Sequence, residues 1–444
     1  MSILVTRVTD VLPRPIVFFL SVLTLTSGSC STGVAADKVQ PPGATTSFKI
    51  RVTGPPETVY DYATSNCPIK GVGRDTSDSI PRAYRDAAGN VRLFANNQTN
   101  RQQFIGPSLN TVQRVGCQRT LVSERNPDPS AYGDREWLVA FYTLDGKNVT
   151  GLVHNEYHGF AHPGQCSIQV RTLPIQERAK AYDLANQRCW MSALTFAQSQ
   201  DGGNTFQRPS APQRLVAALP YVYKPDIGRL GIGNPSNIMF NPKDGYYYFM
   251  ASVAGHGVQR PGMCLLRNKT LNPQEWRAWN GKGFTTKLIN PYSNPNANPK
   301  DHVCSPIPGL AQMRTLTYNS FADQFVAMGG SRDSQGKTAP RYTFSQDLIN
   351  WSQGQIVEGF TPAIAALLPR GSTDKRPTWY YSFLSPDSPA RNFDITNQRG
   401  YIYFIFANRA NQRPRPGEPA LQRIQRIQTN QRLMRIPVSL EKQP

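Results

Sequence analysis

The 444-residue chain carries 49 Lys and Arg against 29 Asp and Glu, a formal net charge of +20. Its 34 glycines, 37 prolines, frequent Tyr and Phe and few long amphipathic stretches exclude an all-helical architecture and read as all-β. A fold that grows by repeating one unit would keep a chain of this length in a single domain.

Arg7 and Arg14 precede the apolar run Ile16–Leu25, which is too short to cross a bilayer and reads as the core of an export signal. With a cleavage site at Val34-Ala35-Ala36, residues 1–36 are expected to be a signal peptide and 37–444 a secreted chain, extracellular or periplasmic. A lipid anchor at Cys30 is the lesser alternative, because Ser27 stands where a large aliphatic residue is usual. No later segment reads as a transmembrane helix. The mature chain keeps six cysteines, Cys67, Cys117, Cys166, Cys189, Cys264 and Cys304, and an even count in an exported protein favours disulfides. Sequential pairing is the plainest of the connectivities open, with Cys166–Cys189 closing one long loop. With no Cys-x-x-Cys and only five histidines, no metal or other cofactor is expected.

The strands then follow in five comparable units. Ile80–Asp86 returns as Val91–Ala95. Glu136–Tyr142 turns at Asp145-Gly146, returns through Val149 to Tyr157, and continues after a long loop at Trp190–Phe196. Ser236–Phe240 turns at Asp244-Gly245 into Tyr246–Ala251, with Cys264–Arg267 and Trp276 beyond. Thr315–Tyr318, Gln324–Met328 and Arg341–Phe344 make a fourth unit, and Trp379–Leu384, Tyr401–Phe406 and Leu433–Val438 a fifth. That last unit is one strand short. Phe48–Val52 is expected to complete it and close a ring, which would remove an exposed edge. The expectation is one propeller domain over 37–444 with five blades; six would require splitting the second unit at Trp190. The stretch near 409–428, rich in Gln, Arg and Pro, reads as a basic surface excursion.

Two turns repeat one device. Ser199–Phe206 reads Ser-x-Asp-x-Gly-x-Thr-Phe, and Ser345–Trp351 reads Ser-x-Asp-Leu-x-x-Trp. In each, the Asp carboxylate can accept hydrogen bonds from the amides that follow it, and an aromatic closes the turn. On these turns and the repeated strand units, the chain resembles the five-bladed β-propeller glycoside hydrolase superfamily, represented by families 43, 32 and 68, with a sialidase-type Asp box.

The resemblance implies acidic residues at the starts of the first three inner strands, two of them acting on a glycosidic bond. The matching positions offer Asp75 and Asp78 before the first strand and Asp134 and Glu136 before the second. At the third the chain reads Asn234-Pro235-Ser236-Asn237, with no carboxylate. Glu156 is the substitute: His154, Glu156 and His158 alternate, so a strand would present all three to one side. The candidate catalytic residues are therefore Asp78, Glu136 and Glu156. Arg82, His154, His158, Trp190, Asn237 and Arg391 are candidates for binding substrate. A metal on His154, Glu156 and His158 would lack a fourth ligand. Gly231-Ile232-Gly233 is no phosphate loop, because no helix follows it.

Removing the leader takes away two Arg and one Asp and leaves +19, much of it near the C-terminus. In an exported chain that balance directs the search for partners away from nucleic acid and towards anionic glycans. The leading expectation is a monomeric, carbohydrate-active propeller with glycoside-hydrolase-type chemistry in its central funnel. A non-catalytic glycan-binding propeller and a surface interaction protein are the other readings open.

Overall fold

The computed structural model describes residues 47–64, 67, 75–211, 213–408, 417, 426 and 430–443. The leader, Cys30 and most of the 409–428 excursion lie outside the described residues. In chain order the strands are β1 (Phe48–Val52), β2 (Glu57–Asp61), β3 (Arg82–Arg85), β4 (Val91–Phe94), β5 (Gln103–Gly106), β6 (Gln113–Arg114), β7 (Arg135–Thr143), β8 (Val149–His158), β9 (Cys189–Ser199) and β10 (Leu215–Ala217). They continue with β11 (Gly228–Gly233), β12 (Met239–Asn241), β13 (Tyr246–Val253), β14 (Gly262–Asn268), β15 (Arg277–Trp279), β16 (Phe284–Thr286), β17 (Met313–Asn319), β18 (Gln324–Arg332), β19 (Thr338–Ser345) and β20 (Gln355–Ile356). The last four are β21 (Thr378–Leu384), β22 (Ile395–Thr396), β23 (Arg399–Ala407) and β24 (Gln431–Lys442).

The fold is all-β, and the described residues form four sheets. One is the meander β3-β4-β5-β6, and a second is β20-β19-β18-β17 with β22 parallel to β17. A third runs β1-β24-β23-β21, with β2 beside β24; Phe48–Val52 pairs antiparallel with Val438–Lys442 and covers that edge. The largest joins two meanders through β11, which is parallel to β9 and antiparallel to β13. Within it β9 pairs with β8 from Val149↔Ser199 to His158↔Trp190, so the strand at Trp190 stays in the second unit's sheet.

Strand β23 explains the packing. Its side chains are apolar on both faces, as a strand covered on both sides requires. Ile402, Phe404 and Phe406 pack with Met328, Phe360 and Ile436, while Tyr403 and Ile405 pack with Leu93, Phe104 and Leu433. The two-residue period thus places one strand in two hydrophobic cores at once.

The two aromatic-closed turns carry the hydrogen bonds their sequences predict. Asp201 Oδ1 accepts the amides of Asn204 (2.9 Å) and Thr205 (3.0 Å), and Ser199 Oγ accepts that of Gly203 (2.8 Å). Gly203 sits at φ +95°, which a residue with a Cβ resists. Asp347 Oδ1 accepts the amides of Ile349 (2.9 Å) and Asn350 (2.7 Å) in the second turn.

The cysteines pair sequentially, Cys67–Cys117, Cys166–Cys189 and Cys264–Cys304. The loop closed by Cys166–Cys189 contains the helix α1 (Ile175–Arg188), where only a loop was expected. Its alanines favour helix, but its apolar residues are too few to mark a face. Cys264–Cys304 bridges 40 residues and lies in the core of the largest sheet. Replacing both cysteines by serine is expected to cost about 3–4 kcal/mol. Thermal melts of the oxidised parent and the double variant check this, and equal midpoints would refute a stabilising crosslink.

Candidate functional site

A cavity of about 1210 Å³ opens where the starts of β3, β7, β9 and β17 meet the ends of β8 and β11. The register of β7, β8 and β9 aligns its wall. Arg135, Glu156 and Ser192 are opposite one another, Trp137 faces His154, and His158 faces Trp190. The β8 side chains His154, Glu156 and His158 are all buried, and all three line the cavity.

Glu156 is held between the two imidazoles. His154 Nε2 is 2.7 Å from Oε1 and His158 Nε2 is 2.8 Å from Oε2. The Asn234 amide donates to His154 Nδ1 at 3.1 Å, so in the neutral ring the proton is on Nε2 and is donated to the carboxylate. Among the described residues His158 Nδ1 is buried without a hydrogen-bond partner, and its ring packs against Trp190, 4.3 Å between centroids. Gly233 makes the arrangement sterically possible, because a Cβ there would collide with the His154 ring.

Two further carboxylates line the cavity. Asp134, buried, accepts the His158 amide at 3.0 Å and lies 3.1 Å from His162 Nε2. Asp78, exposed, accepts the Tyr380 hydroxyl at 2.8 Å. Burial and the Asp78 carboxylate both push the Tyr380 phenol well above its usual range. Tyr380 has φ +61° at a register shift in β21, the left-handed region where a bulky residue is strained.

Arginines outnumber these acids. Arg82 is buried and donates to Thr315 Oγ1 (3.1 Å), Ser382 Oγ (3.5 Å) and the Arg314 carbonyl. Asp86, a possible counterion, pairs instead with Arg92 at 3.0 Å. Burial alone draws the Arg82 guanidinium down to about 9, so it stays cationic at neutral pH. Arg135, Arg229 and Arg314 also line the cavity; among the described residues none of these four is ion-paired to a carboxylate.

Asp78, Arg82, His154, Glu156, His158 and Trp190 are thus brought together, while Glu136, Asn237 and Arg391 lie elsewhere. Glu136 is on the opposite face of β7 from Arg135 and Trp137, 3.5 Å from Arg208. The Asn237 amide pairs with Leu316, accepting its N–H at 2.9 Å and donating to its carbonyl at 2.7 Å. Arg391 donates to the carbonyls of Arg85 and Asp86, at the end of β3 away from Arg82. Sequence reasoning missed Tyr380, Arg229 and Arg314 as site residues and chose Glu136 over Asp134. Strand parity marks Glu136 as core-facing, since it shares the face of Leu138, but it could not single out Asp134, which has the same parity and reaches the cavity only because it lies ahead of β7.

No family model matches the chain, and no curated protein does. Solved structures similar to it include the catalytic domain of the Coprinopsis cinerea GH62 alpha-L-arabinofuranosidase, at 9% identity over 88% of this chain and 97% of that one, with a TM-score of 0.41. A thermostable family-43 glycoside hydrolase matches at 9% identity over 85% of this chain and 92% of that one, TM-score 0.39. The Cellvibrio cellulosa alpha-L-arabinanase matches at 14% identity over 76% and 88%, TM-score 0.36. At these identities substrate is not comparable.

Burial raises the Glu136 carboxyl to about 7, against the opposing pull of Arg208. Because the folded state holds its proton more tightly than the unfolded chain, this group's contribution to stability falls as pH rises from about 4.5 to about 7. Glu136→Gln removes that titration. Its unfolding free energy relative to the parent, from denaturant titrations, is expected to rise between pH 5 and pH 8 by about 2 kcal/mol. A pH-independent difference between the two proteins would contradict it.

Proposed function

We propose that the chain is an exported five-bladed β-propeller, its ring closed by β1 on β24, that hydrolyses a glycosidic bond in this cavity. The observation that carries the reading is the convergence of Asp78, Asp134 and Glu156 with Tyr380, Trp190 and a set of arginines around one cavity. Paired carboxylates at a sugar-sized cleft are the means by which glycosidases protonate a leaving oxygen and attack the anomeric carbon. Trp190 offers a face for a sugar ring, and the guanidinium groups offer fixed donors to hydroxyl or acidic substituents.

Glu156 and its two imidazoles form a proton-holding unit, since His158 Nδ1 is an unpartnered acceptor on a ring already bound to the carboxylate. In the reading proposed, His158 takes up a second proton on Nδ1 and, as an imidazolium paired with the Glu156 carboxylate, delivers it to the leaving-group oxygen as the glycosidic C–O bond breaks, returning to the neutral ring. Asp78, the carboxylate that water reaches, takes the proton of the attacking water, and Tyr380 orients it. Asp134 positions His158 through its amide.

A second reading, glycan binding without turnover, is favoured by Asn234, which stands where the resemblance implies an acid and whose backbone N–H donates to His154 Nδ1. A hydrolysis screen of residues 37–444 on neutral and acidic glycans separates the two. Asp78→Asn and Glu156→Gln are each expected to lower kcat about 10²–10⁴-fold with the fold intact. Glu156→Gln suits the site, because His158 can carry its proton on Nδ1 and accept from the new amide at Nε2. Retention of a glycan by a folded parent that cleaves none would establish the binding reading.

A further inference from the structure

The cavity continues into a second groove of about 810 Å³, with which it shares Ile80, Arg314 and Tyr380. Arg314, Arg332, Arg341 and Arg376 line this groove, and among the described residues no Asp or Glu does. Among the described residues none of the four is ion-paired to a carboxylate. Arg332 and Arg341 are steadied by backbone carbonyls, those of Gly336 at 2.6 Å and Gly309 at 3.3 Å, and Arg314 by Gln312 Oε1 at 3.1 Å.

These cations form a row. Arg341 is opposite Gly329 across β18, and Arg314 lies at the bulge on the other side of the same glycine. Three adjacent strands span about 10 Å, so the charge is spread along a line and does not converge on one point. Arg314 leads back to Arg82, whose carbonyl contact it provides, and both keep a buried Nε without an acceptor. Arg82 itself is only 4% exposed. Guanidinium groups set side by side without counter-charges repel one another, and an anion that replaces the missing carboxylates relieves the repulsion while gaining charge-assisted hydrogen bonds. A neutral glycan would leave them uncompensated. Trp379, on the same wall, adds an aromatic face.

We propose that this groove is a subsite for the successive acidic residues of an extended anionic glycan whose terminal unit occupies the adjoining cavity. The inference rests on the reading of that cavity as a glycan site and names its substrate class: chains bearing carboxylate or sulfate groups on consecutive sugars.

Binding is measured by titration calorimetry in the Glu156→Gln background, so that turnover does not consume the ligand. The probes are oligouronates from monomer to hexamer, sulfated and neutral oligosaccharides of matched length, and a single-stranded oligonucleotide. Affinity is expected to rise with chain length for an acidic series only, and whichever of the uronate and sulfated series rises identifies the anion. The double variant Arg332→Gln/Arg376→Gln, at exposed positions, should weaken the acidic hexamer about tenfold and leave the monomer unchanged. A hexamer no tighter than the monomer, equal binding of neutral chains, a silent double variant or preferential capture of the oligonucleotide would each overturn the proposal. Cleavage of short glycans without any gain from length removes this subsite alone. Length-dependent acidic binding without cleavage of any glycan supports the subsite and removes only the hydrolase reading.

Discussion

A carboxyl group buried in a cavity wall must have its oxygens satisfied, and Glu156 has one imidazole for each oxygen. Much of the surrounding structure follows from that requirement. His154 must turn its Nε2 towards Glu156, which leaves Nδ1 to be satisfied by the Asn234 amide. The backbone of β11 must then approach the ring closely, and Gly233 is the residue that allows it. Strand β11 is also the element that joins the second and third units into one sheet. The polar centre and the sheet topology are therefore parts of one arrangement.

The electrostatics of the cavity are uneven in a way that a purely structural network would not require. Asp86 with Arg92 and Asp75 with Arg114 show how this chain pairs buried charges, at 3.0 and 2.7 Å. Arg82 is as deeply buried, yet it has hydroxyl and carbonyl partners in place of a carboxylate. An uncompensated buried cation costs stability, and it is retained where a ligand or a transition state supplies the missing charge. The left-handed backbone at Tyr380 belongs to the same account, because a strained aromatic beside the exposed Asp78 persists only where the surrounding sheet holds it.

Away from the cavity the chain spends its polar chemistry on local closure. The Asp201 and Asp347 turns and the three disulfides fix the strand connections and the long loops. They leave the strand ends around the cavity to be specified by register.

Much was legible in the sequence because it depends on near neighbours. The apolar run Tyr401–Phe406, the carboxylate-capped turns and the alternation of His154, Glu156 and His158 are local properties, and each has its counterpart in the structure. Cysteine order was enough to make sequential pairing the plain choice. The residues that escaped are those whose role depends on distant partners. Tyr380 reaches the cavity through a break in strand register, and Arg314 and Arg229 come from strands far apart in the chain. Glu136 is turned to the core within β7 while Asp134, of the same parity, reaches the cavity from just ahead of the strand, and Asn237 and Arg391 are taken up by carbonyls and amides of other units. Sequence alone determined the main strands, the capped turns and one polar strand, but not the helix inside the Cys166–Cys189 loop. Tertiary structure decided which charges meet, because Coulombic and hydrogen-bond energies depend on distances that only sheet packing sets.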